Sequence, residues 1–356
     1  MRTLRVAIIG FGLGGEVFHA PLVASTPGMT VAGIVTSDPE RQRKARTDYP
    51  HATVFASADE IWAMPEQFDV VVVTAPNRWH APLGTAALQA GLPVVIDKPL
   101  ALTVQEVHDL IALSQETGKP VFPFQNRRWD GDFLTVRQLI QHDWLGPIAR
   151  YESHFDRYRP APKGAWRDDG ATDGGGGLLY DLGSHLIDQA LQLFGPPQTV
   201  YAELPSKRPT SQVDDDSFIA LECSNGVTAH LYFSQVARIP GPRFCVRGLR
   251  GTYVKYGLDP QEDALRQGQR PSMPHWGEDP RDQWGTLRTE RDGIIFDGAI
   301  ATFPGAYETF YRQVVAALNT GAPPPVTLTE AMLTQRVIEA AQQSAHEHLV
   351  IHLKEE

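Results

Sequence analysis

The segment Gly174–Asp188 carries side chains that could exchange a proton with a substrate. Drawn as a helix at about 100° per residue, Asp181, His185 and Asp188 fall within roughly 60° of one another. Histidine titrates near neutral pH, and a carboxylate one turn away orients its ring and stabilises the imidazolium. We therefore predict that Asp181 and His185 form an acid–base pair on a helix over residues 181–194. This polar trio should face away from the main packing surface of the helix.

A lysine, Lys98, stands in the sequence Asp97-Lys98-Pro99, directly after an apolar run that we predict to be the fourth strand of a sheet. Ligands of open α/β sheets bind outside the carboxyl ends of the strands, so this lysine can contact both a cofactor and a substrate. A hydride leaves a carbinol carbon only as the hydroxyl proton is lost, and a cation near the oxygen can polarise the carbonyl in the reverse direction. We predict Lys98, Asp181 and His185 as the catalytic residues, which also bind the substrate.

The hexapeptide Gly10–Gly15 matches the dinucleotide-binding pattern G-x-G-x-x-G, between an apolar run and a helix predicted to open at about Glu16. Gly10 permits a tight turn, Gly12 lets the backbone approach a pyrophosphate, and Gly15 lets helix and strand pack closely. The phosphates would meet free N–H groups at a helix N-terminus. We expect Phe11 and Leu13 to lie in the same cofactor-binding turn.

The end of the second strand decides between the two nicotinamide dinucleotides. An NAD enzyme usually places an acid there for the ribose hydroxyls, but this strand ends in Thr36 and Ser37. Arg41 follows on the next helix with two more basic residues, and hydroxyls beside cations suit a 2′-phosphate. The nearest acid, Asp38, stands before a proline and fits an N-cap, although it could also reach a ribose. The pattern favours NADP(H) and leaves NAD possible.

The elements that must position these residues change in kind along the chain. Up to residue 124, continuous apolar runs alternate with helical patterns, which predicts a doubly wound parallel sheet in a Rossmann-type domain. The runs are Val6–Ile9, Val31–Val35, Val70–Ala75, Pro93–Ile96 and Val121–Phe124. We therefore assign residues 1–124 to dinucleotide binding.

Residues 125–356 are predicted to form an α+β domain for substrate binding and oligomerisation. Its strands follow one another without helices, which indicates an open, mostly antiparallel sheet, and Asn225-Gly226 predicts a hairpin. The strands are Ile148–Tyr158, Ser217–Cys223, Val227–Phe233, Arg243–Arg247 and Thr252–Tyr256. Residues 259–300 are interpreted as a long surface excursion, and a last helix is predicted over Leu328–His346.

Bulk composition excludes several classes of protein. A net charge of −10 disfavours nucleic-acid binding, and no apolar stretch approaches the roughly 18 residues of a membrane span. Two cysteines in 356 residues indicate a reducing compartment, with both thiols as small buried hydrophobes. No acid or cysteine cluster has the spacing of metal ligands. We expect a cytoplasmic protein with no metal.

These motifs resemble the Gfo/Idh/MocA oxidoreductases over the whole chain. The markers are Gly10–Gly15 with His19 and Pro21, Thr74 to Asn77 with His80, Lys98-Pro99, and Asp181 with His185. The resemblance implies a Rossmann domain and an open-sheet domain that builds dimers or tetramers, with Lys98, Asp181 and His185 acting together. It also implies cofactor contacts at Thr74, Pro76, Asn77, His80, Lys98, Trp166 and Arg167. Most members carry Glu where this chain has Asp97.

A narrower likeness is to the NADP-dependent scyllo-inositol dehydrogenase subgroup. It rests on Gly12–Pro21, Asn126–Asp130, Arg157–Pro160, Leu179–His185 and Gln261–Leu265. The likeness implies interconversion of scyllo-inositol and its inosose. Arg127 and Tyr158 are the predicted substrate-binding residues of the second domain, with further pocket candidates at Arg157, Arg159, Trp166 and Arg167, because arginine and tyrosine donate hydrogen bonds to a polyhydroxylated ring.

Two alternatives stay open at the level of sequence. One is an oxidoreductase acting on an aldose, a deoxysugar or a dihydrodiol, since pocket shape sets that choice. The other is a dinucleotide sensor without catalysis, against which the presence of Lys98, Asp181 and His185 together argues. We expect a small polyol or sugar as ligand, and a homodimer or homotetramer formed through the open face of the second sheet.

Overall fold

The computed structural model describes residues 2–161 and 175–354. The chain divides into two compact units. Unit 1 comprises Met1–Asn126, Gln261–Trp276 and Ala306–Met332, and unit 2 comprises Arg127–Pro260, Gly277–Gly305 and Leu333–Glu356. The domain boundary after residue 124 stays a prediction, and two later segments of the chain fold with unit 1.

Unit 1 is built on a parallel sheet of six strands in the order β3-β2-β1-β4-β5-β6. The strands are β1 Leu4–Ile9, β2 Met29–Val35, β3 Thr53–Phe55, β4 Val70–Val73, β5 Val94–Asp97 and β6 Val121–Phe124. The five predicted strands are present, and β4 is fully buried, as a continuous apolar run requires. The short edge strand β3 was not predicted, so Lys98 follows the fifth strand and not the fourth.

The order of this sheet is that of the doubly wound dinucleotide-binding fold, which reverses between β1 and β4. The helices up to the end of β6 are α1 Ala20–Ser25, α2 Pro39–Asp48, α3 Asp59–Trp62, α4 His80–Gln89 and α5 Val104–Thr117. Helix α5 begins at a capping box between Thr103 and Glu106 and ends at Gly118 in the left-handed region. Its buried Leu110 joins Ala87, Val71 and Ile96 in one core cluster.

Unit 2 contains a sheet of nine strands in the order β14-β13-β12-β11-β7-β10-β9-β8-β15. The strands are β7 Ile148–Asp156, β8 Pro197–Glu203, β9 Asp216–Cys223, β10 Thr228–Ser234, β11 Phe244–Gly248, β12 Gly251–Lys255, β13 Gly285–Arg291, β14 Ile294–Ile300 and β15 Ile351–His352. Neighbouring strands are antiparallel except for β7 and β10, which are parallel. The sheet is therefore mixed, because a long crossover connects the two central strands.

Helix α6 spans Gly131–Gln141 and α7 spans Ser184–Phe194. Helix α7 packs against β7 and β10 of the sheet in unit 2. The predicted hairpin is confirmed: Gly226 has a φ of 82°, and β9 pairs with β10 in antiparallel register. Along both strands buried residues alternate with partly exposed ones, so one face is covered and the other is open.

The prediction of a surface excursion over residues 259–300 was wrong. This stretch contains α8 Gln261–Arg266 in unit 1 and the β13–β14 hairpin in unit 2. Two long helices follow, α9 Glu308–Thr320, which was not predicted, and α10 Leu328–Glu347. Across the two described ranges, no helix is long and apolar enough to cross a membrane.

Candidate functional site

The glycine turn after β1 has the geometry that a bound pyrophosphate needs. Gly10 has a φ of 99°, and its N–H donates to the carbonyl of Val35 at 3.0 Å. A Cβ on Gly15 would overlap the carbonyl oxygen of Gly10, whereas a Cβ on Gly12 would meet the Arg41 guanidinium at an ordinary 3.6 Å. The helical turn Gly14–His19 starts two residues before the predicted Glu16 and continues into α1.

The other two residues of the turn differ in exposure. Phe11 is buried and packs edge-on against the Tyr49 ring, with centroids 6.2 Å apart. Leu13 is 42% exposed. Thr74, after β4, donates its hydroxyl to the Gly10 carbonyl at 2.7 Å, which ties the turn to the neighbouring strand end. The structure therefore brings Gly10 to Gly15 and Thr74 together at the point where the strand order reverses.

The end of β2 places a buried Thr36 beside an exposed Ser37. Asp38 caps α2, since its Oδ1 accepts the N–H groups of Glu40 at 2.8 Å and Arg41 at 3.2 Å. The hydrogen bonds from the Arg41 and Glu40 N–H groups lower the pKa of Asp38. Its side chain is thus used in the cap, the plainer of the two roles that the sequence allowed.

The basic residues Arg41, Arg43 and Lys44 of α2 do not share one role. Arg43 lies 3.6 Å from Glu40, and Lys44 lies 2.9 Å from Asp48. Arg41 is the member of the cluster that lies against Gly12, and its Nε is 3.8 Å from an oxygen of Asp38. The cation placed nearest to the glycine turn is therefore the one predicted for a 2′-phosphate.

His80 joins two strand ends in unit 1. Its Nε2 lies 2.8 Å from the Ala75 carbonyl and its Nδ1 lies 2.6 Å from the Pro99 carbonyl, and the residue is 1% exposed. Burial lowers its pKa. Pro76 and Asn77, in the loop between Thr74 and His80, are partly exposed. The ring of His80 thus positions the loop after β4 and the turn at Lys98, and its predicted contact with the cofactor stays a prediction.

The turn at Lys98 is fixed by its neighbours. Asp97 Oδ1 accepts the Lys98 N–H at 2.7 Å, and the other oxygen of Asp97 is 2.9 Å from where a Cβ on Gly14 would lie. The Lys98–Pro99 peptide bond is cis. Burial favours a raised pKa for Asp97, but the interactions with His19, Lys98 and His80 outweigh it and lower the pKa. An ionised carboxylate therefore stands between the glycine turn and the predicted catalytic lysine.

In unit 2, the predicted trio of one helical face is divided. Asp181 lies in a wide helical turn over Leu179–Gly183, and His185 follows in the first turn of α7, 4% exposed. Asp188 is instead in a buried pair with Arg128, whose Nη2 and Nε lie 2.6 and 2.8 Å from its two oxygens. The expectation that the trio faces away from the packing surface was wrong, because α7 is buried on nearly every side.

A small pocket opens beside Asp181. It is lined by Gly177, Leu178, Asp181, Arg208, Val213, Asp214 and Gln235. Asp214 Oδ2 accepts the N–H of Leu179 and the hydroxyl of Ser217, each at 2.8 Å. Burial raises the pKa of Asp214 to about 6. Asp214 thus holds the start of the turn that carries Asp181, and it was not predicted. The acidic run 214–216 at the start of β9 was the one signal in the sequence.

The predicted substrate-binding residues of unit 2 lie in different surroundings. Arg127 is buried, donates to Asp130 at 3.3 Å and lies over the Phe155 ring at 4.7 Å. Tyr158 is 43% exposed, and its hydroxyl accepts from Arg238 at 2.8 Å. The other pocket candidates divide likewise: Arg157 lies over the same Phe155 ring, and the carbonyl of Arg159 accepts from Arg208. Trp166 and Arg167 lie outside the described residues.

A buried arginine that sequence reasoning missed anchors the base of α7. Arg243 is fully buried, with nitrogens 2.6 Å from the Ser153 hydroxyl, 2.7 Å from the Gln189 side-chain oxygen and 3.4 Å from Asp132. Gln189 in turn donates to the Arg127 carbonyl at 2.8 Å. Buried hydrogen bonds rigidify a core, so the bonds of Gln189 to Arg243 and to the Arg127 carbonyl hold the helix that bears His185.

Cysteines and metal ligands add nothing to the site. Cys223 and Cys245 are both free and buried, as predicted. Among the side chains that the structure describes, no group of three or more His, Cys, Asp or Glu could hold a metal ion.

The residues of unit 1 fit a dinucleotide. Gly12 leaves room for close approach of a ligand to the backbone, whereas Gly15 lets the helix pack against the turn. The helix that starts at Gly14 directs its first N–H groups toward the turn, and Arg41 supplies a cation beside it. Such backbone donors beside a cation suit the phosphates of a dinucleotide.

Comparison with known proteins gives the class of protein. The model described as "Oxidoreductase family, NAD-binding Rossmann fold" matches residues 4–125, and that described as "Oxidoreductase family, C-terminal alpha/beta domain" matches residues 137–353. This chain belongs to the Gfo/Idh/MocA oxidoreductase family.

Relatives of the chain are similar over nearly their whole length. The uncharacterized oxidoreductase YdgJ of Escherichia coli (strain K12) is 39% identical, over 96% of both chains. The scyllo-inositol 2-dehydrogenase (NADP(+)) IolW of Bacillus subtilis (strain 168) is 37% identical, over 99% of this chain and 96% of that one. The solved structure of yvaA from Bacillus subtilis superimposes with a TM-score of 0.93 at 37% identity, over 99% of each chain.

Proposed function

We propose that this protein is an NADP-dependent oxidoreductase that acts on CH–OH groups of a cyclic polyol or sugar, with scyllo-inositol and its inosose as the preferred pair. The observation that carries the proposal is the glycine turn, with Arg41 against Gly12 and Lys98 following β5 in the same unit. The choice of substrate is supported by the 37% identity to a relative named as an NADP-dependent scyllo-inositol 2-dehydrogenase.

The cofactor would be held by unit 1. The turn Gly10–Gly15 would receive the pyrophosphate, while Thr36, Ser37 and Arg41 would receive the 2′-phosphate of NADP(H). Because Asp38 uses one carboxylate oxygen to cap α2, we propose the cap and not ribose binding as its role. Thr74, Pro76 and Asn77 form the neighbouring loop. NAD remains the alternative cofactor.

The chain supplies proton transfer and charge stabilisation. When bound, the dinucleotide supplies or accepts the hydride. His185 takes the proton of the reacting hydroxyl and returns it in reduction, and Asp181 orients its ring and stabilises the imidazolium. Lys98 stabilises the negative charge that develops on the substrate oxygen. Arg127 and Tyr158 are proposed to bind ring hydroxyls, and Trp166 and Arg167 to lie near the nicotinamide.

Turnover by the purified protein tests this proposal. Reduced nicotinamide is followed by absorbance with scyllo-inositol, other inositols, aldoses and a dihydrodiol, each with NADP and NAD. We expect turnover with scyllo-inositol and its loss in His185→Ala, because the general base contributes about 10²–10⁴-fold. Activity on another substrate alone would replace the polyol and keep the cofactor. Dinucleotide binding without any turnover would favour a sensor.

The cofactor preference is tested by Arg41→Ala. A charge-assisted hydrogen bond contributes about 1.5–3 kcal/mol, so we expect KM for NADP to rise about 10- to 100-fold while KM for NAD changes little. Arg43→Ala is the matched control, because Arg43 lies on the same helix and pairs with Glu40. Equal effects of the Arg41 substitution on both cofactors would contradict the assignment of the 2′-phosphate.

The assembly and location are also proposals. We propose a homodimer or homotetramer through the open face of the sheet in unit 2. A cytoplasmic location is proposed from the two reduced thiols.

A further inference from the structure

A chain of polar side chains runs through an aromatic region of unit 1. His19, on the turn before α1, and Tyr311, on α9, are both 0% exposed. The His19 ring packs against Phe124 in a tilted arrangement, with ring centroids 4.1 Å apart, and the Phe310 ring lies 4.8 Å from Phe124 and 5.2 Å from Tyr311. Polar groups in such surroundings interact strongly and are costly to leave unpaired, so their arrangement requires a reason.

This line of polar side chains ends at the turn that carries Lys98. Tyr311 Oη lies 2.5 Å from His19 Nδ1, and His19 Nε2 lies 3.6 Å from Asp97 Oδ2. The other oxygen of Asp97 accepts the Lys98 N–H at 2.7 Å. Residues that are distant in sequence are thus in contact: a hydrogen bond joins Tyr311 to His19, and a longer electrostatic contact joins His19 to Asp97. Among the described residues, His19 Nε2 has no partner at hydrogen-bond distance, so Asp97 is the group that it faces.

Hydrogen-bond geometry gives the protons along this line of polar side chains one consistent arrangement. Burial, and then the charge of Asp97, raise the pKa of Tyr311 well above its ordinary value, so the phenol keeps its proton and donates it to Nδ1. Asp97 has a lowered pKa and is an acceptor. The single ring proton of His19 therefore belongs on Nε2, where it faces Asp97.

We propose that His19 and Tyr311 are positioning residues that hold the Asp97 carboxylate in place and thereby fix the backbone of Lys98. The proposal rests on the proposed function, in which Lys98 acts on the substrate oxygen. The carboxylate lies against Gly14, so a change in its rotamer would disturb the glycine turn and the lysine together. Second-layer partners of this kind typically contribute about 10- to 100-fold to the function of the group they orient.

His80 holds the same turn from the other side. It contacts the Pro99 carbonyl, while Asp97 holds the N–H of Lys98. The residue before the lysine and the residue after it are therefore each fixed by a buried histidine. Because a displacement of about 1 Å can cost about 100-fold in rate, such double anchoring has a catalytic consequence.

Three variants test the proposal. Tyr311→Phe removes only the hydroxyl and should lower kcat about 10-fold, with less than about a two-fold change in either KM. His19→Leu should lose at least as much. His19→Gln keeps an N–H toward Asp97 and an oxygen toward Tyr311, and should retain activity within about three-fold of the wild type.

Phe310→Leu is the control for packing. It lies beside Tyr311 in the same aromatic cluster, and it should lower the melting temperature without lowering kcat about 10-fold. A loss of kcat in Phe310→Leu equal to that in Tyr311→Phe would show that packing and not the hydrogen bond matters, and would overturn the proposal. A kcat equal to that of the wild type in Tyr311→Phe would also overturn the proposal.

Histidine ¹⁵N NMR of the cofactor-free protein gives a readout that needs no turnover. We expect His19 to show a single Nε2–H tautomer in the wild type and a mixture in Tyr311→Phe. A mixture of His19 tautomers in the wild type would contradict the proposed line of polar side chains, whatever the activity. If the wild type turns over no polyol yet shows this tautomer and loses it in Tyr311→Phe, the proposed function fails while the buried chain stands.

Discussion

Asp214 shows how one residue can carry both a structural and an electrostatic role. Burial raises its pKa from 3.8 to about 6, so the folded protein holds this proton more tightly than the unfolded chain does. Stability should therefore fall as the pH rises from about 4 to about 6 and level off above that, by up to about 3 kcal/mol. In Asp214→Asn this slope should disappear, because the amide does not titrate. The amide still offers an oxygen acceptor to the Leu179 N–H, so the local structure should be kept. Urea unfolding of the wild type and of Asp214→Asn over this pH range measures the slope of stability against pH.

Asp215 provides the control of opposite sign. Burial favours a raised pKa, but the N–H of Lys207 and the side chain and N–H of Arg208 outweigh it and lower the pKa. Its stabilising effect is present above its unfolded pKa and is lost as the pH falls, so Asp215→Asn should be most destabilising near neutral pH. For each variant, the quantity to compare is the difference in its free energy of unfolding from the wild type. If this difference changes with pH in the same direction for both variants, the assignment of the raised pKa to Asp214 is wrong.

Sequence spacing predicts residues that act within one helix better than residues that act through distant partners. Asp181 and His185 are predicted as a pair because one helical turn separates them, and their catalytic roles stay predictions. Asp188 has the same periodicity, but its partner Arg128 lies 60 positions earlier, so no local pattern distinguished an ion pair from a catalytic acid. Asp214 and Tyr311 were missed for the same reason: each acts on a residue that only the fold brings near.

At the scale of elements, substitutions at two glycines of the turn after β1 should have different effects on stability and on dinucleotide binding. In Gly15→Ala the new Cβ would overlap the Gly10 carbonyl, so we expect several kcal/mol of destabilisation and lost dinucleotide binding. In Gly12→Ala the Cβ meets Arg41 at 3.6 Å, so the free protein should unfold at nearly the wild-type temperature. Its dinucleotide affinity should still fall at least about 10-fold, because Gly12 is the proposed point of close approach.

Thermal unfolding and the fluorescence of bound reduced dinucleotide separate the two effects. Gly91→Ala would be a poor control, since Gly91 has a φ of 76° and alanine would be strained there. Gly298→Ala is suitable: it lies in β14 of unit 2, and its Cβ would be 3.6 Å from Phe296. Normal dinucleotide binding by Gly12→Ala would mean that the ligand approaches another part of the turn.

Elements with a continuous apolar run were predicted, and several others, including the amphipathic helix α9, were not. Continuous runs identified five strands of the parallel sheet, whereas β3 has three residues at a sheet edge. The β13–β14 hairpin lies in a stretch rich in charge, and β14 is mostly exposed, so burial leaves no alternation to detect. The parallel pairing of β7 with β10 depends on the path of the connection, which periodicity does not record.

At the scale of the whole molecule, the two units interleave along the sequence. Two segments of unit 1, Gln261–Trp276 and Ala306–Met332, follow most of unit 2 in the sequence. One of these segments supplies Tyr311 to the buried chain and the other supplies Gln261, whose side-chain oxygen accepts the Tyr307 N–H at 2.8 Å. The Rossmann pattern of the first 124 residues is therefore a sufficient signature of the fold, while residues from far along the chain complete its core.

The open face of the sheet in unit 2 carries the last prediction. Tyr232 stacks on His154 at 4.3 Å and packs against Phe218 at 4.9 Å, on the side opposite to the buried Leu231 and Phe233. A continuous aromatic surface of this kind favours association, so light scattering should give two or four subunits. Tyr232→Lys should weaken assembly at least about 100-fold by placing an unpaired charge in the contact.

Ile239→Lys is the matched control for that substitution. Ile239 is 88% exposed in the loop between β10 and β11, so the same new charge should leave the subunit number unchanged. A monomeric wild type would remove the proposed role of this face altogether. Assembly that survives Tyr232→Lys but fails in Ile239→Lys would move the interface from the sheet to the loop, because a buried lysine is tolerated only where it finds a partner or solvent.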